Sequence, residues 1–389
     1  MMVWKGVELL QASTWLDHCS DMGISLYTGV PDSFLKPLLD ELLARYGVQS
    51  SHHIVAANEG NAIGLAAGHY LATGHPACVY MQNSGLSNTI NPLVSLMDPA
   101  VYGIPCLLVI GWRGQPGTKD EPQHVVQGQM TLQQLELMKI PYQVASKATT
   151  DTAMQAMLQQ AASVMATGRC FALVCEKGSF QNEQTFVLKK PESVLTREDA
   201  LDTIASVLDQ STVCIGTTGK LSRELFEIRE RSGAGHSRDF LTVGSMGHAS
   251  SIALGMALAD PQHTYVCLDG DGAALMHLGA LAVIAKKKPV NLIHIVFNNG
   301  QHETVGGMPV CEQALQFNPI AASVGYPAVY VAHTTDALKE ALHAAVAGKQ
   351  LAMIEVFCGG EARADLGRPT TTPVQNKQAL MAFLQEEHL

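Results

Sequence analysis

Three groups of residues in this 389-residue chain have the types and spacing to do chemistry. The first is Gly270-Asp271-Gly272, which closes the apolar run YVCL. After a helical stretch and a second apolar run it is followed by Asn298-Asn299-Gly300. Glycine lets the backbone approach a phosphate, and a helix that starts directly after the tripeptide favours an anion at its N-terminus. Asp271 and an asparagine amide oxygen are hard donors suited to Mg2+, while one carboxylate is too few for an all-protein calcium cage. Ordinary turns would account for either tripeptide alone. Their pairing across one helix and one strand points instead to a metal shared with a phosphorylated ligand.

The second group is Ala57-Asn58-Glu59-Gly60-Asn61, which follows HHIVA and opens the apolar stretch AIGLAAGHYLATG. A carboxylate in the first turn is favoured by the helix dipole. An exposed residue that merely helps the helix start is the plain alternative to a catalytic acid. The third group is the segment after IPCLLVI, which offers Arg113, Lys119 and His124 among glycines and prolines that would allow a lid. Arg113 suits a bidentate grip on an oxyanion, Lys119 a point charge, and His124 an anion contact or proton delivery. Asp120 and Glu121 leave open a simple surface pairing of these cations.

The elements that position these groups follow from periodicity. Strands are expected near 24–28, 52–56, 77–81, 106–110 and 170–175, with helices at 7–21, 33–45, 58–72, 84–97 and 151–166. In the second half, strands near 212–216, 240–243, 264–268, 291–297, 328–331 and 352–357 alternate with helices, the first of which is capped by Thr196 with Asp199. Such alternation predicts an α/β chain of two doubly wound, parallel-sheet domains: residues 1–180, a polar linker at 181–195, and 196–389. Both halves open with a helix feeding a strand that ends at glycine. In such sheets ligands bind beyond the carboxyl ends of the strands, where all three groups fall.

Composition agrees with an enzyme of this kind. With 47% hydrophobic and 15% charged residues the chain can bury two cores, and a net charge of −10 argues against nucleic acid and against a basic membrane-surface protein. No stretch has the roughly 18 apolar residues of a membrane span, and the first residues lack a basic, apolar leader. Nine cysteines without a C-x-x-C pair, mostly in apolar surroundings, predict reduced, packed thiols and a cytoplasmic protein.

The spaced pair GDG and NN resembles the diphosphate-binding motif of thiamine diphosphate (ThDP) enzymes, and the resemblance extends over nearly the whole chain. It implies the family's two ThDP-binding domains and a Mg2+ ion on Asp271, Asn299 and the main-chain oxygen of Gln301. It also implies a cofactor cradle made by Thr218 and Gly219, by Gly244, Ser245 and Met246, and by Gly270, Gly272 and Ala273, with Met246 propping the bent cofactor. Thr28, Gly29 and Glu59 would face the pyrimidine ring, and Glu59 would share a proton with it. A homodimer or higher homo-oligomer with active sites at subunit interfaces is implied too.

Residues 27–40, 58–74, 82–96 and 111–128 look most like the family's two-domain decarboxylases that act on an anionic 2-oxo acid, 3-phosphonopyruvate. That implies loss of carbon dioxide and release of phosphonoacetaldehyde in phosphonate biosynthesis. Asp32, Ser33, Arg113, Lys119 and His124 would contact the substrate, with Glu59 and His124 catalytic. A sulfopyruvate decarboxylase is the nearest alternative, because sulfonate and phosphonate are both tetrahedral oxyanions. A ThDP carboligase follows, and a non-catalytic partner subunit comes last, because Glu59 and the metal motif share one chain.

Overall fold

The structure, a computed structural model, describes residues 10–47, 50–182, 186, 195–305, 307–310, 315–359 and 362–386. Two compact units are present, one of Met1–Leu188 with Val305–Glu312 and one of Lys189–Thr304 with Gln313–Leu389. The sequence reading placed 305–312 in the second domain, whereas this segment packs with the first unit through Met308, which joins its core. Most of the expected linker lies outside the described residues, and so do residues 7–9 of the expected first helix.

In the first unit the strands are β1 (Tyr27–Gly29), β2 (His53–Val55), β3 (Ala77–Gln82), β4 (Cys106–Gly111), β5 (Tyr142–Ala145) and β6 (Phe171–Cys175). They form one parallel sheet in the order β2-β1-β3-β4-β6-β5. Along β4, Leu107 and Val109 enter one apolar cluster, and Cys106, Leu108 and Ile110 enter another on the opposite face. Helices cover both faces, which is why the strands read as unbroken apolar runs.

The second unit has β7 (Val213–Gly216), β8 (Asp239–Leu241), β9 (Tyr265–Gly270), β10 (Leu292–Asn298), β11 (Ala328–Ala332) and β12 (Ala352–Phe357). Their parallel order is β11-β12-β10-β9-β7-β8. Val266 and Leu268 of β9 face one cluster and Tyr265 and Cys267 the other. Read from the opposite edge, and numbering strands within each unit, both sheets run 2-1-3-4-6-5.

Most expected elements are present within a few residues, including the Arg197–Val207 helix, whose Thr196 Oγ1 accepts from the Asp199 N–H. Three differ. Residues 122–137 form a helix that takes in His124, expected in a loop, and Tyr142–Ala145 adds a strand. The helix expected at 84–97 runs only from Leu86 to Pro92 and continues as a π-helical turn, Leu93–Met97. Pro92 has no N–H to donate, which favours such a change of winding. All eight described cysteines are free and buried. Among the described residues no helix is long and apolar enough to cross a membrane.

Candidate active site

In the second unit the chain leaves β9 at Gly270, and Asp271 opens the short helix Asp271–Met276. Asp271 is buried. Its Oδ1 accepts from the Gly272 N–H at 2.6 Å, and its Oδ2 accepts from the N–H groups of Asn299 and Gly300 at 3.1 and 2.6 Å. One carboxylate thus stitches the loop after β9 to the loop after β10. Desolvation raises its pKa to about 7 against the opposing pull of these amides, the mark of a buried anion that lacks a full counter-charge. The two asparagines separate in role. Asn298 is buried and donates to Glu355 Oε1 and to the Leu315 carbonyl, whereas Asn299 lies in the loop with its Oδ1 taking the Gln301 N–H at 3.0 Å.

The other cradle segments lie at carboxyl ends of the same sheet. After β7, Ser222 donates to the Thr217 carbonyl and Thr218 to the Val243 carbonyl, so this loop is pinned to its neighbour after β8. Gly244-Ser245-Met246-Gly247 makes that neighbouring turn. Ser245 has φ +52°, an unusual conformation for a residue with a side chain. A Cβ on Gly270 would meet only Thr217, at 4.0 Å, which leaves open space at the motif. A buried carboxylate ringed by amides, an oxygen-donor asparagine and open glycine backbone together fit a Mg2+–diphosphate group.

In the first unit, Asn58 caps the helix Glu59–Thr73 by accepting from the Asn61 N–H. Glu59 is only 5% exposed, which excludes the solvated first-turn alternative. Its Oε2 accepts from Asn88 Nδ2 at 2.8 Å, and its Oε1 lies 2.2 Å from where a Cβ on Gly85 would stand, so glycine is required there. Thr28 Oγ1 is buried without a partner among the described residues. Asp32 is wholly buried, accepting from the Phe34 N–H and from Gln82 Nε2, and desolvation pushes its pKa up.

Arg113 is already held. Its Nε and Nη2 fork onto Asp120 at 2.8 and 2.5 Å, its Nη1 reaches Ser33 Oγ at 3.3 Å, and its guanidinium covers the Phe34 ring. The pairing with Asp120 weighed from sequence is therefore present, but it is largely buried rather than superficial. It holds the Asp120 carboxyl well below its usual range, with help from the Glu121 and Gly114 amides. Lys119 is exposed on the same loop. His124 sits in the first turn of the helix Pro122–Leu137, not in a loop. It is buried, its Nδ1 has no partner among the described residues, and burial followed by the nearby Arg113 lowers its pKa. The segment does not hang free as a lid there. A Cβ on Gly128 would fall 1.7 Å from the Gly114 carbonyl oxygen, so loop and helix are in close contact.

Several residues here were not singled out from sequence. Asn83 Nδ2 donates to the Arg113 carbonyl and to Thr131, while its Oδ1 accepts the Arg113 N–H. Gln82, Asn83, Gly85 and Asn88 all belong to QNSGLSN, which starts at the last residue of β3, and a cluster of amides at the end of a buried strand was the available signal. On β9 and β10 themselves, donor atoms of Cys267, Asp269 and His294 lie within 4.8 Å of one another, all buried. The signal for Asp269 was its place immediately before Gly270.

Residues 12–137 match the thiamine pyrophosphate enzyme N-terminal TPP-binding domain, and residues 215–356 match the C-terminal TPP-binding domain of the same family. The chain belongs to the thiamine diphosphate enzymes. This thiamine diphosphate enzyme is 33% identical over 391 residues to a phosphonopyruvate decarboxylase of Streptomyces viridochromogenes, covering 97% of this chain and 95% of the relative. It is 31% identical over 394 residues to a phosphonopyruvate decarboxylase of Streptomyces hygroscopicus, with the same coverage. A sulfopyruvate decarboxylase of Methanosarcina acetivorans is 28% identical over 355 residues, covering 86% of this chain and 88% of that protein.

Proposed function

We propose that this enzyme decarboxylates 3-phosphonopyruvate to phosphonoacetaldehyde and carbon dioxide, using thiamine diphosphate and Mg2+. The observation that carries the reading is the match to two phosphonopyruvate decarboxylases over 97% of the chain. Bound cofactor supplies the electron sink for loss of carbon dioxide from a 2-oxo acid. Asp271, Asn299 and the Gln301 carbonyl would hold the ion, and the segments at Thr218-Gly219, Gly244–Met246 and Gly270–Ala273 would hold the diphosphate and the middle of the cofactor. Glu59 would exchange a proton with the pyrimidine, beside Thr28 and Gly29. Asn88 fixes the rotamer of that carboxyl group, and Gly85 leaves it room.

The substrate's carboxylate is consumed and its phosphonate survives, so an anion clamp should hold the surviving group. Arg113 retains outer N–H groups beyond those given to Asp120, and these address Ser33. Lys119 adds charge, and His124, with one ring nitrogen unpartnered among the described residues, is placed to deliver a proton. Asp32 orders the loop beneath. The same reading includes a homodimer or larger homo-oligomer with sites at subunit interfaces, in the cytoplasm.

The sulfopyruvate alternative is favoured by one observation, the 28% identity to a sulfopyruvate decarboxylase. Steady-state turnover of phosphonopyruvate, sulfopyruvate and pyruvate, with and without ThDP and Mg2+, tests both. Phosphonopyruvate should have the highest kcat/KM, and a preference for sulfopyruvate would overturn the assignment.

A further inference from the structure

The loop after β10 is tied at its far end as well as at Asp271. Glu303, two residues beyond Gln301, has a side chain only 8% exposed. Its carboxylate meets Arg197 Nη1 at 2.5 Å, Lys220 Nζ at 3.0 Å and the Ala362 N–H at 2.8 Å. Lys220 directly follows Thr217-Thr218-Gly219, the segment that leaves β7. One position after Glu303 and one before Lys220, Thr304 Oγ1 lies 2.7 Å from where a Cβ on Gly219 would stand, and Gly219 has φ +107°. Only glycine lets these two segments close.

Two adjacent contacts, Lys220 to Glu303 and Gly219 to Thr304, therefore join the loops after β7 and β10. In the sheet these strands are not neighbours, because β9 lies between them. Their ladders to β9 stop at Gly216 and Phe297, so beyond the strand ends it is these side-chain contacts that join the two loops directly. The charges within the clasp balance. Arg197 also forks onto Glu224 at 2.6 and 2.7 Å, so two cations face two carboxylates.

We propose that Glu303 is a positioning residue which, with Lys220, sets the gap between the loops after β7 and β10 and thereby the affinity for a Mg2+–diphosphate group that it does not touch. The proposal rests on the reading that these loops hold thiamine diphosphate and Mg2+. Loss of Glu303 would leave Arg197 paired with Glu224, and Lys220, 27% exposed, would still reach solvent. No buried charge is orphaned, so the cofactor affinity should suffer more than the fold.

The test is calorimetric titration of the full-length, cofactor-free protein with ThDP at fixed Mg2+, alongside melting of the free protein. Glu303→Gln and Lys220→Met should each raise the apparent Kd about tenfold, with the double variant little worse than either alone, since both break one clasp. The melting temperature of free Lys220→Met should stay near that of wild type, which separates loop placement from general loss of stability. A change under threefold in either variant overturns the proposal. So does tighter binding, which would mean that Glu303 merely withholds Lys220 from the diphosphate. Should Glu303→Gln not fold, Lys220→Met decides by the same threshold. Failure of the wild type to bind ThDP would instead overturn the cofactor reading on which the proposal stands.

Discussion

The two units share a strand order and place their working residues at equivalent strand exits, yet the chemistry offered there differs. In each, the residue directly after the third strand bridges to the backbone of the loop after the fourth. In the second unit that residue is Asp271, which receives the Asn299 and Gly300 amides. In the first it is Asn83, which exchanges two hydrogen bonds with the Arg113 backbone and gives a further one to Thr131. Asn83 is neutral and both of its amide N–H groups are used. Asp271 has spare lone pairs and, above its raised pKa, a charge. The same stitch is thus a finished structural joint in one unit and, on the function proposed above, the place of a cation in the other.

The sharpest way to separate the units is Glu59→Gln. It should reduce kcat by roughly 100- to 10,000-fold, the usual range for removing a proton-transfer group, while cofactor binding in the second unit persists. Near-full turnover at saturating ThDP would show that Glu59 is not the acid.

Asp271→Asn converts the open joint into the closed kind. The amide oxygen can still accept from Asn299 and Gly300, but the amide NH2 then faces the Gly272 N–H, so the free protein should fold and melt somewhat below wild type. The stabilisation that Mg2+ and ThDP give the wild type, about 2.7 kcal/mol at a hundredfold excess over Kd, should vanish. A thermal shift equal to that of the wild type would place the metal elsewhere.

Arg113→Ala examines what the first unit offers in place of a metal. Truncating one partner of a desolvated charge pair costs about 2 to 5 kcal/mol, so phosphonopyruvate kcat/KM should fall at least about 30-fold, with pyruvate much less affected. Equal losses for both substrates would mean that Arg113 serves only to anchor Asp120.

The smallest effect belongs to the closed joint. Asn83→Ala removes the donor to the Arg113 carbonyl, while the Arg113 N–H keeps the Gly111 carbonyl, and should lower unfolding stability by about 1 to 3 kcal/mol, measured by denaturant titration, without altering the metal affinity of the second unit. A weakened metal response would break the division of labour between the joints.

The meeting of the loops after β9 and β10 was legible because its parts are local: glycines, an aspartate and two asparagines at strand ends are visible in the chain itself. The sheets were legible because strands buried on both faces are continuous apolar runs. The helix Pro122–Leu137 was not, because its pattern is inverted. Val125, Val126, Met130 and Leu137 are exposed, whereas His124, Thr131 and Gln134 are buried. An apolar stripe therefore points away from the core, and periodicity misleads. Asn88 beside Glu59 escaped for another reason, since the two come from different strand exits and meet only once the parallel sheet is formed.

The backward-turned backbone of Ser245 has one further consequence. Holding a residue with a side chain in that conformation costs about 1 to 2 kcal/mol, a cost met when the chain folds. A turn shaped at that stage needs no reshaping when a ligand arrives, so capture at this edge should be governed by encounter rather than by rearrangement. Ser245→Gly would relieve the strain but give the free chain more freedom, trading a stiff receptor for one that must be ordered afresh at every binding event.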